Sequence, residues 1–175
     1  NEAALIIIDM QEYFLNPESH AFIPAAISIV PNIIMLRDFF NKFDRPVILT
    51  KHINTSENAG KMSKWWGEII TDENTFCNIV DSLKDDQSTI IQKTQYDAFF
   101  NTSLDGILHT HQIKQLVICG VITHLCVEST VRTSFVRGYE VFLPVDTTAS
   151  YNLQHHRSTF INLSNGFAVP LLTSD

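Results

Sequence analysis

The chain has 175 residues, of which 45% are hydrophobic and 18% charged, and its formal net charge at pH 7 is −7. This composition is typical of a globular protein with a substantial core and excludes an intrinsically disordered chain. A negative charge argues against a nucleic-acid partner, which requires a basic face, and no apolar run reaches the roughly 18 residues of a membrane span. We therefore expect one domain over residues 1–175, with neither nucleic acid nor membrane as partner.

Continuous apolar runs alternate with helical patterns along the chain. The runs at 4–9 and 116–121 predict buried parallel strands, and further strands are predicted at 46–50, 88–93, 140–145 and 168–172. Helices are predicted from Pro31 to about Phe43, over 102–113, over 124–137 with Gly138 just past the end, and over about 152–164. This alternation predicts βαβ units, a mostly parallel sheet and an α/β fold. The irregular stretch 52–75 is long enough to cover an active site.

The three cysteines, Cys77, Cys119 and Cys126, form no CxxC motif and no disulfide framework. Such a sparse, odd set predicts reduced thiols and a cytoplasmic location. The chain begins at Asn1, directly before a predicted strand and without a methionine, which leaves open whether residues precede it.

Three reactive side chains fall at the carboxyl ends of predicted strands, where open α/β sheets bind their ligands. Asp9 ends the first strand, Lys93 ends the strand at 88–93, and Cys126 follows the strand at 116–121 by a short turn. A cysteine in the first turn of a helix, near a lysine, is expected to favour the thiolate, and a nearby carboxylate could exchange protons with it. Taken singly, each residue has an ordinary structural explanation: a packed cysteine, a turn-forming aspartate and a solvated lysine. Their convergence at one sheet edge favours a catalytic site.

Three segments resemble the isochorismatase-like cysteine hydrolases. They are "ALIIIDMQEYF" near the N-terminus, "KTQYDAFFNTSLDGIL" from Lys93, and "LVICGVITHLCVESTVRTSFVRGYEVFLPVDTTAS" from Leu116. The resemblance covers nearly the whole chain. It implies a three-layer α/β/α fold with a six-stranded, mostly parallel sheet in the Rossmann-like order 3-2-1-4-5-6. It also implies a homo-oligomer, a dimer or tetramer.

The same resemblance implies a function for each of the reactive residues. Asp9, Lys93 and Cys126 match the family's catalytic triad, and the Val121–Ile122 bond matches its non-proline cis peptide. The backbone N–H groups of Ile122 and Cys126 would form the oxyanion hole.

Two subgroups of the family fit this sequence less well. Its nicotinamidases hold a metal through an Asp-x-His pair, but the corresponding stretch here is "LTKHINTSEN", so we expect no metal and no cofactor, and His52 becomes a loop or pocket residue. Several of its isochorismatases lack the cysteine and need only the aspartate as acid. Retention of Cys126 points instead to covalent chemistry at an amide-like carbon.

The sequence thus predicts a cysteine-dependent hydrolase of a small C–N substrate, an amide, carbamoyl or ureido compound, acting through a thioester. The alternatives are a vinyl-ether hydrolase of the isochorismatase type that uses Asp9 as general acid, and a catalytically silent binding relative. We expect His124 to form a structural hydrogen bond. The candidate substrate-binding residues are Phe14, Trp65, Tyr96 and Thr123.

Overall fold

A computed structural model describes residues 2–174, so Asn1 and Asp175, the ends of the predicted domain, lie outside it. Seven strands form one parallel sheet in the order β3-β2-β1-β4-β5-β7, and the short β6 pairs with β4 beyond the end of β5. The strands are β1 (Ala3–Ile8), β2 (Val47–His52), β3 (Thr89–Lys93), β4 (Gln115–Val121), β5 (Glu140–Pro144), β6 (Thr148–Ala149) and β7 (Val169–Leu171).

Helices cover both faces of this sheet, which gives the three-layer α/β/α arrangement that the sequence predicted. They are α1 (Glu12–Leu15), α2 (Pro24–Lys42), α3 (Met62–Trp66), α4 (Leu104–Thr110), α5 (Glu128–Val136) and α6 (Leu153–Ser164). Within residues 2–174, none of the helices combines the length and the apolar character of a membrane span.

The central strand β1 contributes to two separate cores because successive side chains of a strand point to opposite faces. Leu5 and Ile7 belong to the core that packs on α2, whereas Ala4, Ile6 and Ile8 belong to the core beneath α4, α5 and α6. Burial on both faces explains why this strand is continuously apolar rather than alternating.

Four sequence predictions are corrected in detail. The first long helix begins at Pro24, so Pro31 lies inside it. The predicted helix at 124–137 is a π-helical turn over Thr123–Val127 followed by α5. The stretch 52–75 starts in β2 and includes α3. The sheet has seven strands because two residues after Thr147 form β6.

Candidate active site

Asp9 is the first residue after β1 and is fully buried. Its φ of 49° lies in the left-handed region, which aspartate tolerates better than most residues. The Thr50 hydroxyl donates to Oδ1 at 2.6 Å and accepts from the Asp9 backbone N–H at 3.0 Å. The neighbouring strand β2 therefore fixes one carboxylate oxygen and leaves the other directed at a different partner.

That partner is Lys93, the last residue of β3, whose ammonium lies 2.7 Å from Asp9 Oδ2. Its three protons are shared with further acceptors: the Gln95 carbonyl at 2.9 Å, His52 Nδ1 at 3.1 Å and Cys126 Sγ at 3.4 Å. Burial disfavours the charged form, but the charge of Asp9 opposes it, and the pKa of Lys93 is raised. The side chain is therefore a buried ammonium that touches every candidate reactive group.

Cys126 lies in the π-helical turn that joins β4 to α5, and only 5% of it is exposed. Burial raises the pKa of its thiol to about 12, although Lys93 acts in the opposite direction. The sequence predicted that the helix start and the lysine would favour a thiolate. This expectation was wrong for the resting enzyme, because desolvation of the sulfur exceeds the attraction of the ammonium.

The end of β4 brings the backbone close to the same point. Gly120 has φ of 108° and faces Ile8 of β1 so closely that a Cβ would overlap the Ile8 backbone. One residue further along, the Val121–Ile122 peptide bond is cis, the configuration that the family resemblance implied. Ile122 and Cys126, whose N–H groups were the predicted oxyanion hole, both line the cavity described below.

His52 was predicted to be a loop or pocket residue. It is the buried last residue of β2 and lines the cavity described below, so the pocket alternative is correct and the loop alternative is wrong. Because an ammonium can only donate, Nδ1 accepts from Lys93, and the proton on Nε2 is donated to Asn54 Oδ1 at 2.8 Å. Burial first, and then Lys93, lowers the pKa of His52 to about 4. A neutral His52 thus orients the ammonium.

The donor atoms of Asp9, His52 and Cys126 lie within 4.8 Å of one another, a spacing that a metal ion could bridge. The Lys93 ammonium, however, contacts all three of these donors. A cation bound by the same three atoms would have to share that space with a fixed positive charge. The residues therefore do not fit a resident metal at this position.

A cavity of about 220 Å³ connects Cys126 to the surface. Two of the predicted substrate-binding residues, Phe14 and Tyr96, line it. Trp65 does not, being 79% exposed, whereas the adjacent Trp66 does and donates its indole N–H to the Tyr96 hydroxyl at 2.8 Å. Thr123 is buried outside the lining, and its hydroxyl lies 3.2 Å from His156 Nδ1.

Most of the cavity wall comes from residues that carry no local sequence signal. They belong to α1, to α3 and to irregular segments, and only those in the stretch 52–75 were indicated, by its unusual length. The lining residues without a local sequence signal include Tyr13, His20, Met62, Glu68 and Tyr151. His124 lies outside the lining and has a structural hydrogen bond with the Ser150 hydroxyl at 2.8 Å, as expected.

Comparisons with known proteins extend these observations. Nicotinamidase 3 of Arabidopsis thaliana is 32% identical over 171 residues, which is 95% of this chain and 82% of the relative. Enterobactin synthase component B of Escherichia coli strain K12 is 29% identical over 157 residues, which is 88% of this chain but only 55% of the relative. The structure of a cysteine hydrolase from Pseudomonas syringae pv. phaseolicola 1448A superposes with a TM-score of 0.95 at 23% identity, covering 99% of this chain and 89% of that one.

The family model for the isochorismatase domain matches residues 3–175, nearly the whole chain. The chain therefore belongs to the isochorismatase family and is a hydrolase.

Proposed function

We propose that this hydrolase cleaves a small C–N substrate, an amide, carbamoyl or ureido compound, through a thioester on Cys126. The observation that carries the proposal is the buried cluster of Asp9, Lys93 and Cys126, with the sulfur of Cys126 opening onto a cavity of small-molecule size. The relative Nicotinamidase 3 is named for an amide substrate, which supports a C–N bond as the target.

In the first step, the Cys126 sulfur attacks the substrate carbon while its proton passes to the Asp9 carboxylate. The C–S bond forms as the carbonyl π pair moves onto oxygen, where the N–H groups of Ile122 and Cys126 hold it. The high pKa of the thiol describes loss of its proton to water, whereas transfer to Asp9 leaves one negative charge beside Lys93 before and after. The buried ammonium of Lys93 is therefore next to one negative charge both before the proton transfer and after it.

In the second step, the oxyanion collapses, the C–N bond breaks, and protonated Asp9 gives its proton to the departing nitrogen. Ammonia or an amine leaves, and Cys126 holds the acyl group as a thioester. Asp9 then takes a proton from a water molecule as that water attacks the thioester carbon, and it returns the proton to the sulfur when the acid is released. No metal or cofactor enters this scheme.

The decisive experiment measures ammonia release from a panel of small amides, with isochorismate tested in parallel. Cys126→Ala should abolish amide hydrolysis, and the wild-type protein should carry a substrate-derived acyl mass on the Cys126 peptide after rapid quenching. Cys77→Ala is the matched control, because this buried cysteine lies outside the cluster. Turnover retained by Cys126→Ala but lost in Asp9→Asn would favour the vinyl-ether alternative, and turnover of nothing would favour the silent relative.

The exposed surface and the cysteines bear on the oligomeric state and the cellular compartment of the protein. We propose a homo-oligomer, a dimer or tetramer, supported by exposed apolar side chains on α5 and α6, including Phe135, Val136 and Ile161. All three cysteines are unpaired, which supports a reducing compartment such as the cytoplasm. Light scattering coupled to gel filtration tests the assembly, and a monomer at micromolar concentration would contradict it.

A further inference from the structure

The charges around the cavity are distributed unevenly. Beneath the cavity, outside its lining, the buried Asp9 and Lys93 form a pair with no net charge. At its rim, Glu68 contributes a carboxylate whose side chain is half exposed, and His20 Nδ1 lies 3.5 Å from Glu68 Oε2. Among residues 2–174, no lysine or arginine lines the cavity. A substrate carboxylate would therefore find no permanent cation to pair with, and it would face Glu68.

The walls between rim and floor are aromatic. Five aromatic residues surround a volume of about 220 Å³, namely Tyr13, Phe14, Trp66, Tyr96 and Tyr151. Aromatic faces attract organic cations, and the attraction grows as the cation loses water. Burial, reinforced by the charge of Glu68, raises the pKa of the Tyr13 hydroxyl, so the negative potential of Glu68 extends to the aromatic wall.

The geometry points to a small amide that also carries a protonated amine as the substrate, with the amine at Glu68 and the amide carbon at Cys126. This inference rests on the proposed amide hydrolysis and adds the charge of the substrate to it. A cavity of about 220 Å³ limits the substrate to a compact molecule. Anionic compounds, including carboxylated carbamoyl compounds, are disfavoured.

Three ligands that differ only in one group test this charge preference. They are para-(aminomethyl)benzamide, which is cationic, para-(hydroxymethyl)benzamide, which is neutral, and para-carbamoylbenzoate, which is anionic. Dissociation constants are measured at pH 8, above the ordinary titration range of histidine, on Cys126→Ala protein to prevent turnover. The quenching of tryptophan fluorescence reports binding, because Trp66 lines the cavity. We expect the cationic amide to bind most tightly and the anionic amide most weakly.

Glu68→Gln removes the charge and keeps the shape of the side chain. It should weaken binding of the cationic amide about fivefold, the upper range for a half-exposed ion pair, and should change binding of the neutral amide less than about twofold. The control Glu57→Gln makes the same charge change at an exposed position outside the cavity lining and should leave all three constants unaltered.

Tighter binding of the anionic amide, or an unchanged preference in Glu68→Gln, would overturn the inference. The same experiments distinguish this inference from the proposed function. If the proposed function is wrong, the wild-type protein releases no ammonia, whereas the order in which the three amides bind does not depend on turnover. Adding salt should reduce the preference for the cationic amide, since the Glu68 side chain is in contact with solvent.

Discussion

Neutral His52 makes the stability of this protein dependent on pH in a way that a single substitution can isolate. Its pKa is lowered from 6.5 to about 4 in the folded protein, so between these values the unfolded chain binds a proton that the folded one rejects. The contribution of neutral His52 to the free energy of unfolding is fully present above pH 6.5 and is lost as the pH falls toward 4. A shift of this size corresponds to about 3 kcal/mol, and no discount for solvent screening applies because the ring is buried.

The substitution His52→Asn supplies the comparison. Asparagine is neutral at every pH and can place an oxygen near the Nδ1 position, so Lys93 keeps an acceptor, but the hydrogen bond to Asn54 is lost. At pH 7.5 we expect the variant to be less stable than the wild type by about 1–3 kcal/mol. As the pH falls below 6, the wild type should lose about 1.4 kcal/mol per pH unit more than the variant. Near pH 4 the wild type should have lost about 3 kcal/mol more than the variant, so it should be no more stable than the variant.

Urea denaturation followed by far-UV circular dichroism at half-unit steps from pH 4 to pH 8 measures the free energy of unfolding of both proteins. Acidic groups and the other histidines contribute equally to both curves, so only the difference between the curves is interpreted. A difference that stays constant across this range would refute the assignment of a neutral, buried His52.

Three further predictions concern the strand ends and the sulfur. Thr50→Val removes the hydroxyl that donates to Asp9, and kcat/KM for amide hydrolysis should fall about 10- to 100-fold. A fall of less than about threefold would show that Thr50 does not position the Asp9 carboxylate for catalysis. Gly120→Ala should unfold the protein or abolish its expression, because the new Cβ would overlap the Ile8 backbone. At Gly138 a new Cβ meets no neighbouring atom, so Gly138→Ala should lower the free energy of unfolding by only about 1–3 kcal/mol, the cost of its positive φ. Equal effects of the two substitutions in thermal denaturation would contradict the close approach of β4 to β1. Cys126 should react with iodoacetamide at pH 8 roughly 10- to 100-fold more slowly than an exposed cysteine, measured by peptide mass spectrometry, and labelling at the ordinary rate would show that its pKa is not raised.

The fold was predictable from sequence because its strongest signals are long and local. A strand buried on both faces, such as β1, must be continuously apolar, and this pattern survives without knowledge of its neighbours. The start of α2 was missed because Pro31 resembles a first-turn proline, although Pro24 is the residue that begins the helix. The strand β6 has only two residues, too few for any periodicity to indicate it.

Some residues of the candidate site were also predictable from sequence, and others were not. The convergence of Asp9, Lys93 and Cys126 followed from parallel strands, whose carboxyl ends share one edge. Which of the adjacent Trp65 and Trp66 lines the cavity could not follow from sequence, because α3 has only five residues, too few to show a helical periodicity. The raised pKa of Cys126 was also inaccessible, since desolvation depends on the depth of the sulfur beneath side chains that are distant in sequence.

The position of the Lys93 ammonium connects the absence of an Asp-x-His pair to the proposed chemistry. The stretch that contains His52 has no Asp-x-His pair that could bind a cation from solution. Instead, the neutral His52 ring accepts a hydrogen bond from Lys93, a cation that belongs to the chain. This ammonium lies 2.7 Å from Asp9 Oδ2 and 3.4 Å from Cys126 Sγ, so it stabilises a negative charge on either atom. A proton can therefore move from sulfur to carboxylate without creating an unpaired charge in a buried site, where such a charge would be most costly. In the proposed scheme, therefore, Cys126 needs neither a thiolate at rest nor a metal, because its proton passes to Asp9 as the sulfur attacks the substrate.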